Sequence, residues 1–144
     1  MPVLETDFLL GLRKEDKKHQ TSMKVLELAK AGKVKKLAAC GSAFVELGVG
    51  LRGSLKKHDI VEALRLLRAL TNPIPEIPLS SLILMNGLEL EQRLAISNLF
   101  DCLHAATALY HDAVIVSDDR FYEQVPNLRR LSLEYFVEEY SQDA

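Results

Sequence analysis

Four consecutive apolar residues, Ala113-Val114-Ile115-Val116, stand between polar stretches. Side chains alternate across a strand, so a run this short that is apolar at every position suits an interior strand of a parallel sheet covered on both faces. The preceding segment, 101–110, is dominated by Ala and Leu and reads as a helix. A helix that feeds a doubly buried strand places the chain among α/β architectures.

The rest of the chain repeats the alternation. Val3-Leu4 reads as a short buried strand, and helical structure starts at Phe8-Leu9-Leu10-Gly11-Leu12. An amphipathic helix is expected over 15–31, where Met23, Leu26 and Ala29/Ala31 keep helical steps and Gly32 supplies a stop. Val34 and the run 37–40 suggest a second strand. Gly41-Ser42 opens a helix that places Phe44, Leu47 and Leu51 on one face, and Gly53-Ser54 breaks it. Ile60, Ala63, Leu64, Leu67 and Leu70 form a clear helical stripe. Pro73, Pro75 and Pro78 end it in a stiff connector, within which Ile77 pairs briefly as a strand. Ser80 or Ser81 caps a helix expected to be interrupted near Asn86-Gly87. A short helix over 121–125, an edge strand over 128–133 and a last helix over 134–140 follow. The expectation is one α/β domain over 1–144, with a central parallel sheet of four to five strands and helices on both faces.

Composition bounds the function. No apolar run approaches the roughly 18 residues of a membrane span, and the first residues lack the basic and apolar regions of a signal peptide. Cys40 and Cys102 are isolated and form neither CxxC nor a zinc pattern, so a reducing, cytoplasmic setting without membrane contact is expected. Charge is asymmetric. Residues 1–72 carry 14 Lys/Arg against 8 Asp/Glu, whereas residues 73–144 carry 4 against 12. A basic half can draw in a polyanion while an acidic half binds metal.

Four acidic stations fall at element ends: Glu5 and Asp7 after the first strand, Glu46 one turn into its helix, Asp101 where the helix before 113–116 starts, and Ser117-Asp118-Asp119 after that strand. In open parallel sheets, sites form beyond the carboxyl ends of the strands, so these acids can meet at one rim. Two carboxylates about 4 Å apart repel by about 4 kcal/mol at an effective dielectric of about 20. A cluster of them must take up protons or bind a cation, and hard oxygen donors favour magnesium or manganese. Such an ion can activate water and neutralise charge on a phosphoryl oxygen. Taken singly, Asp101 and Ser117 or Asp118 could be helix caps, Glu46 a solvated residue, and Glu5 and Asp7 a loop pair. His104 and His111 read as satisfied or solvent-facing rather than as ligands, because no HExxH spacing occurs. No GxGxxG, Walker A or GxSxG motif is present.

The chain resembles a PIN-domain protein of the VapC toxin type along nearly its whole length. Val3-Leu4-Glu5-Thr6-Asp7-Phe8 is similar to the family's opening motif, and Ser42-Ala43-Phe44-Val45-Glu46-Leu47 to its second acidic station. Asp101-Cys102-Leu103-His104-Ala105-Ala106-Thr107 is the most specific match, and Ser117-Asp118-Asp119-Arg120-Phe121 resembles the closing motif. The resemblance implies a three-layer PIN-like fold and a magnesium- or manganese-dependent endoribonuclease. It also implies an antitoxin partner and a homodimer. Glu46, Asp101 and Asp119 then become metal ligands, Ser117 a supporting hydroxyl and Asp118 an auxiliary group. Where the family has Asp before Thr this chain has Glu5, so either Glu5 or Asp7 completes the set. The rival readings are a catalytically weakened PIN-fold module that binds RNA or protein, and a metal-dependent phosphatase or DNA nuclease. Lys14, Lys17, Lys18, Lys33, Lys35, Lys36, Lys56 and Lys57 are candidates for guiding RNA.

Overall fold

A computed structural model describes residues 1–141. The described residues form five strands and seven α-helices: β1 (Val3–Leu4), α1 (Thr6–Gly11), α2 (His19–Lys30), β2 (Ala38–Cys40), α3 (Gly41–Leu51), α4 (Lys57–Thr71), β3 (Glu76–Ile77), α5 (Ser81–Leu94), α6 (Leu99–Tyr110), β4 (Val114–Val116), β5 (Arg129–Leu131) and α7 (Leu133–Ser141). A short 3-10 turn, Arg120–Gln124, joins β4 to β5.

The strands make one sheet in the order β3-β2-β1-β4-β5, and every neighbouring pair is parallel. Both residues of β1, all of β2, and Ile115 and Val116 of β4 are buried. Consecutive strand residues point to opposite faces, so burial of both requires helices above and below. α2 packs on α1 and α7, and α5 packs along α6, which also meets α3.

Register positions the functional rim. Leu4 lies opposite Ala39 on one side and Val116 on the other. The next residues, Glu5 and Ser117, therefore emerge side by side. From β1 the chain crosses first to β2 and β3 and only later to β4 and β5 on the other flank. β1 is thus the switch point, and the crevice beyond its carboxyl end is where an open α/β sheet binds ligands.

Several boundaries differ from the sequence expectation for local reasons. The helix expected from residue 15 begins at His19. Asp16 accepts the Lys18 N–H with its side chain and the His19 N–H with its carbonyl, which holds a turn instead. Gly32 does end that region, with a positive φ of 71°. The expected break near Asn86-Gly87 is absent, and α5 runs through both residues from its Ser80 cap. Gly87 is instead a contact point: a Cβ there would lie 2.7 Å from Leu103 Cδ2, so its absence lets α6 approach α5. The last edge strand is shorter than expected, Arg129–Leu131. Among the described residues, no helix is long and apolar enough to cross a membrane.

Candidate functional site

Glu5 leaves β1 and caps α1, with its side chain accepting the Asp7 N–H at 3.2 Å. It is only 4% exposed. Its Oε1 accepts from Ser117 Oγ at 2.9 Å, and its Oε2 lies 3.3 Å from the Tyr122 hydroxyl. Asp7 turns back to the same place. Its Oδ2 accepts from Ser117 Oγ at 3.1 Å and from the Asp118 N–H at 2.8 Å. Its Oδ1 is buried with no hydrogen-bond partner among the described residues.

Asp101 lies in the first turn of α6, not at its cap, which is Asn98. Asn98 Nδ2 donates to Asp101 Oδ2 at 2.7 Å, and the Tyr122 hydroxyl lies 3.3 Å from Oδ1. Asp119 is exposed and caps the 3-10 turn through the Phe121 N–H, while its own N–H donates to Ser117 Oγ at 3.0 Å. On the facing helix α3, Glu46 Oε1 accepts from the Thr6 hydroxyl and lies 3.1 Å from His104 Nε2.

Five of the sequence candidates, Glu5, Asp7, Glu46, Asp101 and Asp119, thus line one open cleft of about 400 Å³, together with Thr6, Leu10, Leu47, Gly50 and Leu51. Ser117 is buried beneath the acids and braces Glu5, Asp7 and Asp119. Asp118 points elsewhere. It pairs with Lys18 and accepts the Leu133 N–H at 2.9 Å, which ties α7 to the loop after β4. No basic side chain lines the cleft among the described residues.

The electrostatics are those of crowded anions. Desolvation raises the Glu5 carboxyl well above its ordinary range, and the hydrogen bond and charge of Asp7 push the same way. Burial also raises Asp101. The Asn98 hydrogen bond opposes that shift, and the charges of Asp119 and Glu46 add to it. Glu46 goes the other way: burial opposes its ionisation, but the hydrogen bonds from His104 and Thr6 outweigh burial and hold its carboxyl below the usual value. Burial first, and then the Glu5 and Asp101 charges, push the Tyr122 hydroxyl far up, so it remains a donor.

Hydroxyl hydrogens are too few for the acceptors. Ser117 has one for Glu5 and Asp7, and Tyr122 has one for Glu5 and Asp101. With Asp7 Oδ1 unpaired, this donor set fits a hard divalent cation. Glu5, Asp101 and His104 can each offer a ligand atom within 4.8 Å of the others. Sequence reasoning missed Tyr122. It read His104 as satisfied or solvent-facing, and the ring is buried and satisfied by Ser42, Glu46 and Thr6. A polar ring inside the Ala-rich α6 was the available signal.

The PIN domain family profile matches residues 3–128. The chain belongs to the PIN-domain family. No curated protein matches it in sequence. Among solved structures it is similar to VapBC2 from Rickettsia felis bound to a promoter DNA fragment, with 23% identity, 90% of this chain and 96% of that one covered, and a TM-score of 0.66. DNA-bound VapBC from Salmonella typhimurium aligns at 15% identity over 92% of this PIN-domain chain and 99% of that one, with a TM-score of 0.66. VapC20 from Mycobacterium tuberculosis, described as a Sarcin-Ricin loop cleaving toxin, aligns at 14% identity over 90% and 99%, with a TM-score of 0.63. At these identities the likeness is one of fold, and it covers the five-stranded sheet and its helices.

Proposed function

We propose that this PIN-domain chain is a divalent-metal-dependent endoribonuclease that hydrolyses RNA phosphodiester bonds as the toxin of a toxin–antitoxin pair. What carries the proposal is the convergence of Glu5, Asp7, Glu46, Asp101 and Asp119 on one cleft with more acceptors than donors. Glu46, Asp101 and Asp119, together with Glu5 or Asp7, would hold magnesium or manganese. A bound ion of this kind supplies Lewis acidity toward a phosphoryl oxygen. The protein's own groups do the positioning. Ser117 sets the spacing of Glu5, Asp7 and Asp119, Tyr122 links Glu5 to Asp101, and Thr6 orients Glu46. The cleft is open, which suits a polymer threaded across it.

The test is cleavage of structured and unstructured RNA with manganese by the native protein and by Asp101→Asn. Cleavage only by the native protein supports the proposal, and equal cleavage by both refutes it. Parallel assays on single-stranded DNA and a small phosphomonoester separate ribonuclease from DNA nuclease and phosphatase. A further structural neighbour, from Klebsiella pneumoniae, is described as a toxin-antitoxin complex, which supports an antitoxin partner here. A homodimer in a cytoplasmic setting completes the proposal, and light scattering tests the dimer.

One observation favours a second reading, a catalytically weakened RNA- or protein-binding module. Glu5 stands at the family's opening acidic position with both oxygens already engaged, by Ser117 and Tyr122. That module would bind RNA or a protein partner yet show no manganese heat in calorimetry.

A further inference from the structure

His104 follows Asp101 by one turn of α6 and has no exposed surface. Its ring bridges two side chains of α3 that are themselves one turn apart, Ser42 and Glu46. Nδ1 lies 2.7 Å from Ser42 Oγ, and Nε2 lies 3.1 Å from Glu46 Oε1 and 3.1 Å from Thr6 Oγ1. An ionised Glu46 only accepts, so Nε2 carries the hydrogen that reaches it. Nδ1 is then left facing the Ser42 hydroxyl, and the Thr6 hydroxyl also donates to Oε1. Ser42 and Glu46 therefore block rotation of the ring at both ends. Glu46 spends one oxygen on this bracing. Its Oε2 has no hydrogen-bond partner among the described residues and remains available to the cleft.

We propose that His104, braced by Ser42, is a positioning residue that fixes the Glu46 carboxylate for cation binding and supplies no ligand of its own. The inference rests on the metal-dependent reading above. Its rival is direct ligation, since His104 comes within ligand range of Glu5 and Asp101. Direct ligation would require Nε2 to leave Glu46 and shed its hydrogen.

Calorimetric titration of manganese into chelator-stripped protein decides between them, with the metal-free melting temperature of each variant measured alongside. Outer partners of metal ligands typically set affinity by 10–100-fold, so His104→Leu is expected to bind manganese about 10-fold more weakly or worse. His104→Gln keeps an amide N–H able to reach Glu46 and is expected to stay within about 3-fold of the native protein. Ser42→Ala leaves every cleft-lining group in place but frees the ring, and is expected to weaken binding by at least about 3-fold with little change in metal-free melting. Native affinity in His104→Leu would overturn the proposal. So would a loss in His104→Gln as large as in His104→Leu, which would make the nitrogen a ligand. If His104→Leu does not fold, Ser42→Ala and His104→Gln decide together: weakened binding in Ser42→Ala with near-native binding in His104→Gln supports positioning, and unchanged binding in Ser42→Ala or a loss of about 10-fold or more in His104→Gln overturns it. Absence of manganese binding by the native protein would overturn the metal-dependent reading and this inference with it.

Discussion

Exchanging Glu5 for Gln tests how far crowded charge weakens the metal-free protein. Glu5 Oε1 and Asp7 Oδ2 contact the same Ser117 hydroxyl at 2.9 and 3.1 Å. Those oxygens therefore lie no more than about 6 Å apart and, when both groups are ionised, repel by about 3 kcal/mol at an effective dielectric of about 20. Glu5 escapes part of this by retaining its proton, because desolvation and then Asp7 raise its carboxyl well above the ordinary value of 4.5. Gln at this position mimics the protonated form permanently. At neutral to alkaline pH it should recover about 1–2 kcal/mol, or about 2–8 °C in Tm for a domain of roughly 150 residues.

The sign follows from proton linkage. Below 4.5 Glu5 is protonated in both the folded and unfolded chains, and the advantage of Gln vanishes. As pH rises, the unfolded chain loses the proton first. Native stability then falls through the raised folded value, while Glu5→Gln stays flat in this respect. Metal reverses the ranking. At about 100 times its Kd, manganese should stabilise the native protein by about 2.7 kcal/mol, and Glu5→Gln should gain less. Circular dichroism melts from pH 4 to 9, with chelator and with manganese, read both effects. A Glu5→Gln protein that melts below native at pH 8 without metal, or by an offset independent of pH, would refute the reasoning.

Asp118→Ala should lower Tm by about 2–4 °C, the cost of one lost helix N-terminal acceptor of about 1 kcal/mol, while leaving manganese affinity unchanged. Burial opposes ionisation of Asp118, but Lys18 and the Leu133 N–H prevail and lower its carboxyl. The difference should therefore shrink as pH falls through that lowered value. Gly41→Ala places a Cβ 2.6 Å from the Ile77 carbonyl oxygen and 3.0 Å from the Leu79 nitrogen. These are backbone atoms that cannot rotate away, so the overpacking should cost about 2 kcal/mol and about 4–8 °C in thermal melts. Cys40 and Cys102 are both fully buried, and desolvation raises both thiols, Cys102 to about 11. An aromatic disulfide reagent should label neither until the protein is unfolded with denaturant, and stoichiometric labelling of native protein would contradict this.

Local pattern carried the strands well. Val3-Leu4, the end of 37–40, Ile77 and 114–116 are apolar with turn or helix signals on both sides, and each lies in the sheet, while Ala113, with a φ of 58°, turns the chain just before its strand. Order along the chain does not encode which strand sits in the middle. β1 becomes central only because later strands add on its other flank, and that placement draws the four acidic stations to one end. Features decided by contact were illegible. Gly87 looks like a helix breaker until Leu103 is against it. Asp118 looks like a cleft residue because it adjoins Asp119, yet the strand geometry turns it toward Lys18 and Leu133. Tyr122 sits in an unremarkable stretch, and its hydroxyl acquires meaning only when Glu5 and Asp101 arrive at 3.3 Å.

The acids of the cleft are chemically unequal, and their neighbours explain why. Glu46 stands across the cleft, where Thr6 and His104 supply two donors to one of its oxygens, and it is held ionised. Glu5 lies at the bottom, shares its donors with Asp7 and Asp101, and resists ionisation. A dication entering from solvent therefore meets the ionised Glu46 before it reaches the buried Glu5. Under the metal-dependent proposal, seating it against Glu5 would compete with the proton that burial favours there, so affinity should rise with pH. The same arrangement limits the cost of the empty cleft, because the most buried carboxylate is the one whose ionisation burial opposes most. Glu5 reaches Ser117 with one oxygen and Tyr122 with the other, so one side chain joins the β4 loop to the 3-10 turn beneath the rim.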